Sequence, residues 1–329
     1  MVATRAAAGE RRAVVPQADL MRWLALAILT TAIGLPAAAK IQPGVVYLGF
    51  LERGGPHATE FNYGMPPFPR ARVVFQGENG EWRAIHEPAR DQESLRKSPE
   101  WFPSPLRWTA VLDGRNLGQL TTSRPTEVDA YGSVGLQPIT GSLVPGSVLA
   151  VSQLEPPYPS WPGMATYRPV VLVTGPFWTD PESWQPFKPS AAALDKDIRR
   201  FRELLKAGLP ITYGEGAETG TVAFQCKDDS LKLRWAQRSG DGRTLYSVDL
   251  TRCKSPVDEE IDGSIAYTFL IDSDSISPLG SDLEFIDSAD YDGDDSSEVL
   301  LGRSLHNHDT YFLFSRRFGK RCEFTWSYH

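Results

Sequence analysis

Near the C-terminus Phe324, Trp326 and Tyr328 alternate with Glu323, Thr325 and Ser327. A period of two belongs to a strand with one buried face, so this stretch is predicted to be part of a sheet. Cys322 falls in step with the aromatic set and is expected to be a buried thiol. Short apolar runs bounded by turn residues recur along most of the chain. In the first half they cover residues 44–51, 71–76, 106–112, 147–153 and 169–174. In the second half they cover 221–226, 231–237, 243–250, 264–271, 283–286, 298–301, 310–314 and 323–328. Two junctions carry hairpin chemistry. Asp113-Gly114 separates two apolar runs, and both residues tolerate the positive φ of a tight turn. Ser239-Gly240-Asp241-Gly242 closes another hairpin.

One stretch has a helical period instead. Leu194, Ile198, Phe201, Leu204 and Leu205 share a face, while Lys196, Asp197, Arg199, Arg200 and Arg202 point away from it. Ser190 is placed to cap this helix, and Gly208 with Pro210 to end it. The predicted fold is therefore mainly β. It comprises antiparallel sheets, blade-like or sandwich-like, in two sub-domains, residues 40–190 and 209–329, joined by one helix over 191–208. Residues 153–190 are dense in proline and aromatic rings: Pro156, Pro157, Tyr158, Pro159, Trp161, Pro162, Phe177, Trp178 and Trp184. Such rings stack on sugar faces or pack a proline-rich loop onto a sheet, and packing is the simpler reading. No internal repeat is visible.

Composition agrees with a folded β-rich chain. The hydrophobic share is 41% and the charged share 23%, which leaves enough apolar surface for a core. The 28 Gly and 26 Pro favour loops and strands over long helices. A net charge of −7 argues against a general nucleic-acid binder.

The N-terminus reads as an address. Arg11, Arg12 and Arg22 precede an apolar run from Trp23 to Leu35, and Pro36-Ala37-Ala38-Ala39 follows with the small residues a signal peptidase requires. Residues 1–39 are thus expected to be a signal peptide, with an uncleaved anchor as the alternative. The run is short for a span, and no membrane span is expected after cleavage. The chain is accordingly expected to be exported, to the periplasm or outside the cell. In an oxidising compartment its three cysteines can pair. With Cys322 assigned to a strand face, Cys226 and Cys253 make the predicted bridge.

Charge is unevenly placed. Residues 255–302 hold fourteen Asp or Glu and no Lys or Arg. Asp258, Glu259, Glu260 and Asp262 read as a solvated face. The segment 290–298 differs, because its carboxylates Asp290, Asp292, Asp294 and Glu298 fall at loop positions 1, 3, 5 and 9. A tight loop turns such alternate side chains onto one centre. Hard oxygen ligands in that pattern suit Ca²⁺, with the main-chain carbonyl of Ser296 expected at position 7. An acidic β-turn without metal is the alternative.

This segment resembles the calcium-binding loops of FG-GAP (integrin-α-type) and VCBS-type repeats, whose pattern is Asp-x-Asp/Asn-x-Asp-Gly-x-x-Asp/Glu running into an apolar strand. Leu283-Glu-Phe-Ile286 before it and Val299-Leu-Leu301 after it match the flanks. The resemblance covers about twenty-five residues and implies a structural Ca²⁺ between strands of a blade. Two positions depart from it. Asp295 stands where the pattern has Gly, at a place that requires positive φ, which Asp adopts at modest cost. Leu301 stands at position 12, so the bidentate Glu of an EF-hand is missing.

Other motifs do not add up to chemistry. His306-Asn307-His308-Asp309 reads as a polar turn between strands, and there is neither a Gly-x-Ser-x-Gly elbow nor a glycine-rich phosphate loop. The expected role is binding or scaffolding, with an unknown protein or glycan partner. The alternative is a secreted hydrolase acting on polysaccharide.

Overall fold

The computed structural model describes residues 44–52, 70–85, 105–122, 127–128, 134–136, 139–143, 169–176, 178–213, 218–227, 230–254, 265–305 and 308–327. The expected signal peptide, the strand at 147–153, the proline- and aromatic-rich stretch as far as residue 168, Phe177, the acidic residues Asp258, Glu259, Glu260 and Asp262, and His306 and Asn307 lie outside them.

The first sheet holds nine strands: β1 (Val45–Glu52), β2 (Arg70–Glu78), β3 (Glu81–Ala84), β4 (Leu106–Leu112), β5 (Arg115–Thr122), β6 (Glu127–Val128), β7 (Val134–Leu136), β8 (Ile139–Leu143) and β9 (Val170–Val173). Their order is β6-β7-β2-β1-β9-β4-β5-β8, with β3 paired to β2, and every pairing is antiparallel. Asp113 and Gly114 take φ of 52° and 63° between Leu112 and Arg115, as the hairpin turn requires. Asn79-Gly80 makes the same kind of turn between β2 and β3. β9 is a short apolar run fully buried on both faces, which suits a central strand.

The chain then passes through β10 (Gln185–Pro186) into the single helix among the described residues, α1 (Ala191–Ala207). The Ser190 hydroxyl accepts the N–H of Ala193 at 3.3 Å and caps its first turn. Gly208, at φ 96°, ends it with its N–H on the Leu205 carbonyl. A side chain there would place its Cβ 2.9 Å from the Thr221 methyl, so glycine serves both the conformation and the close approach. β11 (Leu209–Tyr213) and β12 (Glu218–Val222) form a hairpin, followed by β13 (Lys232–Arg238), β14 (Thr244–Asp249), β15 (Ala266–Asp272) and β16 (Ser275–Ser281). These last four make a five-stranded sheet with β10, in the order β10-β13-β14-β15-β16. The four-stranded meander β17 (Glu284–Ala289), β18 (Glu298–Leu305), β19 (His308–Ser315) and β20 (Lys320–Ser327) completes the described chain. No sheet closes into a barrel among the described residues.

Alternation along the strands sorts apolar side chains into separate cores between stacked layers. On one face of the nine-stranded sheet lie Tyr47, Val73, Trp108, Val170 and Leu172. The other face sends Leu48, Phe50, Val171 and Val173 against Ile286, Leu300, Tyr311, Leu313 and Phe324 of the four-stranded sheet. Successive residues of β18 and β19 point opposite ways. Leu300 and Leu313 enter that core, while Val299, Leu301, Phe312 and Phe314 turn to the next, against Leu245 and Leu270 of the five-stranded sheet. The far face of the five-stranded sheet packs Tyr246, Val248 and Phe269 on Phe201 and Leu205 of α1 and on the β11–β12 hairpin. Trp178 and Trp184 pack on the cores.

Cys226 and Cys253 form the disulfide, with Cα atoms 4.4 Å apart, beside the antiparallel bridge of Gln225 and Lys254. Cys322 is a free, half-buried thiol next to Phe324 in the core between the first and last sheets. No helix of the described residues is long and apolar enough to cross a membrane.

Candidate metal centre

The acidic loop links β17 to β18, so its two ends are fixed by paired strands, Ala289 opposite Glu298. Its shape comes from one carboxylate. Asp290 Oδ1 accepts the N–H groups of Gly293 at 2.6 Å and Asp294 at 3.1 Å, and Oδ2 accepts that of Asp295 at 3.0 Å. The chain curls around that side chain only with left-handed residues at two places, Gly293 at φ 82° and Asp295 at φ 64°. Asp295 therefore does adopt the positive φ that position 6 calls for, with its side chain exposed. Tyr291 is fully buried, and its hydroxyl donates to Asp287 Oδ2 at 3.0 Å. This anchors the loop to the strand behind it.

The loop brings three of the predicted ligands together. Asp290, Asp292 and Asp294 each place a carboxylate oxygen within 4.8 Å of the others. Glu298, the first residue of β18, is fully buried, and its Oε2 accepts the Tyr291 N–H at 2.8 Å. Its Oε1 is buried with no hydrogen-bond partner, and both carboxylate oxygens of Asp292 are in the same condition. Ser296 lies in the loop with its N–H on Asp294 Oδ1 at 2.9 Å.

Orphaned buried oxygens are costly, because each has lost water without a replacement. The carboxyl groups record that cost as proton affinity. Burial, reinforced by the charges of Asp294 and Asp290, pushes Asp292 up to about 6. The Trp82 indole N–H, reaching across from β3, lies against Asp292 and opposes that shift without reaching hydrogen-bond geometry. Asp290 is raised by burial despite its three backbone donors. Glu298 is pushed up to about 9, first by burial and then by the charge of Asp292, with Asp294 and Asp290 adding to it. Hence the set does not stay fully ionised at neutral pH without a counter-charge. The donors are all hard oxygens: Asp290, Asp292 and Asp294 form the group, and Glu298, which is not among the grouped residues, is coupled to all three by charge and keeps an oxygen with unmet bonding. That arrangement fits a hard divalent cation.

Several supporting residues carried no signal in the acidic motif. Asp180 is the chief one. Its Oδ1 accepts the N–H groups of Glu182 at 3.0 Å and Ser183 at 2.9 Å, and its Oδ2 that of Trp184 at 2.6 Å. The same carboxylate accepts the hydroxyls of Ser288, at 2.8 Å, in β17 just before the acidic loop, and of Ser297, the loop's last residue before β18. The Asp290 N–H donates to the Thr179 carbonyl at 2.8 Å, and the Glu182 N–H also reaches Ser297 Oγ at 3.2 Å. Asp180-Pro181 is a turn-forming dipeptide, which is the one local hint of this role.

Comparison of the chain with protein-family models, with curated proteins and with solved structures finds no match, so its own residues carry the functional argument.

Proposed function

We propose that residues 290–298 hold a Ca²⁺ ion that braces an exported, β-rich binding or scaffolding protein. One observation carries this reading: the fully buried Glu298 keeps one oxygen without a partner beside three clustered aspartates. Asp290, Asp292, Asp294 and Glu298 would supply carboxylate oxygens, and Ser296 its main-chain carbonyl. The ion's chemistry there is neutralisation of crowded negative charge, not activation of a substrate. The disulfide between Cys226 and Cys253 accords with an oxidising compartment and so with export.

Three aspartates crowded together, with both oxygens of Asp292 unsatisfied, favour a metal over a hydrolase, whose chemistry needs a pair of carboxyl groups and room for a sugar between them. The groove of about 530 Å³ between α1 and β13 contains a single carboxylate, Asp195, beside Arg199, Arg202 and Lys232. It offers no carboxylate pair.

Metal analysis of the purified mature protein, followed by thermal unfolding with CaCl₂ and with chelator, tests the proposal. Calcium should co-purify and should raise the melting temperature. A melting curve unmoved by millimolar calcium would leave the loop an acidic turn.

A further inference from the structure

The acidic loop does not stand alone; it leans on a strap formed by residues 179–184. Five donors converge on the Asp180 carboxylate. Three are N–H groups of the strap itself, from Glu182, Ser183 and Trp184, and two are the hydroxyls of Ser288 and Ser297. Ser288 precedes Asp290 by two residues, and Ser297 directly precedes Glu298. Both serines are buried. The Thr179 carbonyl adds a third tie, to the N–H of Asp290 itself. Both ends of the loop are thus held to one carboxylate more than a hundred residues away.

The network continues past Asp180. The Glu182 carbonyl accepts the Gly240 N–H at 2.6 Å, in the β13–β14 hairpin. The Glu182 carboxylate pairs with the buried Arg243 at 2.6 Å, and Arg243 pairs with Asp241 at 2.9 Å. A continuous polar path therefore runs from the acidic loop through the strap to the hairpin of the five-stranded sheet.

We infer that Asp180 is a positioning residue for the metal site, and that calcium binding at 290–298 orders the strap and the hairpin it touches. The inference rests on the calcium reading above. Asp180 is not a ligand. It fixes Ser297 and hence the approach of Glu298, and through Ser288 it fixes the start of the loop. Groups that orient metal ligands in this way typically govern affinity by about 10–100-fold when removed. Because coupling between two binding or ordering events is reciprocal, an ion that needs the strap must also stabilise it.

The test uses the full chain, stripped of metal and titrated with CaCl₂ by calorimetry, alongside hydrogen exchange. Asp180→Asn should weaken calcium binding by about tenfold or more. Ser297→Ala removes the hydroxyl that donates to Asp180 and accepts the Glu182 N–H, and leaves the three amide bonds from the strap to the Asp180 carboxylate in place. It should also weaken binding, and the double variant should bind no more than about twofold worse than Asp180→Asn, because the two changes break one link. In the wild type, calcium should slow exchange at the N–H groups of Ser183, Trp184 and Gly240, and in Ser297→Ala it should slow them less. Should Asp180→Asn not fold, Ser297→Ala and Ser288→Ala carry the same test. If the wild type binds calcium, the variants bind it equally well and exchange at 183, 184 and 240 does not move, the strap has no part in the site. If the wild type itself gives no heat with calcium, the calcium reading fails, and this inference fails with it.

Discussion

Replacing Glu298 by glutamine should have opposite effects with and without metal. Glu298 is fully buried, and its carboxyl group is pushed up to about 9 from an ordinary 4.5. The folded value lies above the unfolded one. In the chelated protein, the stability tied to this proton is therefore whole below about pH 4.5 and is lost as pH rises toward 9. The loss accumulates at up to about 1.4 kcal/mol per pH unit, so it reaches roughly 3 kcal/mol at pH 7 as an upper bound. Glutamine has nearly the same shape, keeps an oxygen for the Tyr291 N–H and cannot ionise. In chelator, Glu298→Gln should equal the wild type near pH 4.5 and exceed it by up to about 3 kcal/mol at pH 7. With calcium the order should reverse. A site filled at a thousand times its Kd adds about 4.1 kcal/mol, more than the variant's lead in chelator, and the variant should forfeit most of it. Urea unfolding at several pH values, with and without calcium, measures both arms. If the chelated variant is less stable than the wild type at pH 7 and its pH slope is unchanged, Glu298 is not the strained carboxyl described above.

Three further outcomes are expected. Reduction of the Cys226–Cys253 disulfide, which closes a loop spanning 27 positions, should cost about 3 kcal/mol, and a peptide map without reductant should recover the two cysteines joined. Finding Cys226 alkylated as a free thiol would contradict this. Asp295→Gly should raise calcium affinity and stability by a fraction of the roughly 1–2 kcal/mol that a left-handed residue costs, read by calorimetry and thermal unfolding; weaker binding would make Asp295 a ligand. N-terminal sequencing of exported protein should start near Lys40, whereas full-length protein confined to the cytosol would refute export.

The elements legible in the sequence are those whose signals are local. The helix was bounded by its cap Ser190 and its stop Gly208, and β4 by its apolar run and the Asp113-Gly114 turn, because each is fixed within a few residues. β16 carries no such signal: Ser275–Ser281 is polar, with Pro278 and Gly280 inside it, and stands at the sheet edge paired only to β15. Edge position explains the composition, since a proline there removes no ladder bond. β3 has only the Asn79-Gly80 turn to announce it, because Glu81–Ala84 is four residues long with no fully buried residue. At the site, the ligand spacing was readable because alternate residues of one loop share a centre. Asp180 was not, because its partners Ser288 and Ser297 lie 108 and 117 positions away. Trp82 likewise meets Asp292 only through the stacking of two sheets.

The central place of β9 also governs how the protein can be made. β9 lies between β1 and β4, pairing Leu48–Leu51 on one side and Thr109–Val111 on the other. A chain emerging from the ribosome completes both neighbours early, as separate antiparallel ribbons. It then runs on for nearly sixty residues, from Leu112 to Val170, before the strand that joins them is synthesised. Throughout that interval two apolar edges stand open side by side, each a template for pairing with another nascent chain. The strand order itself therefore makes both edges wait for a late strand, and the first sheet is complete only once residues 170–173 have been made.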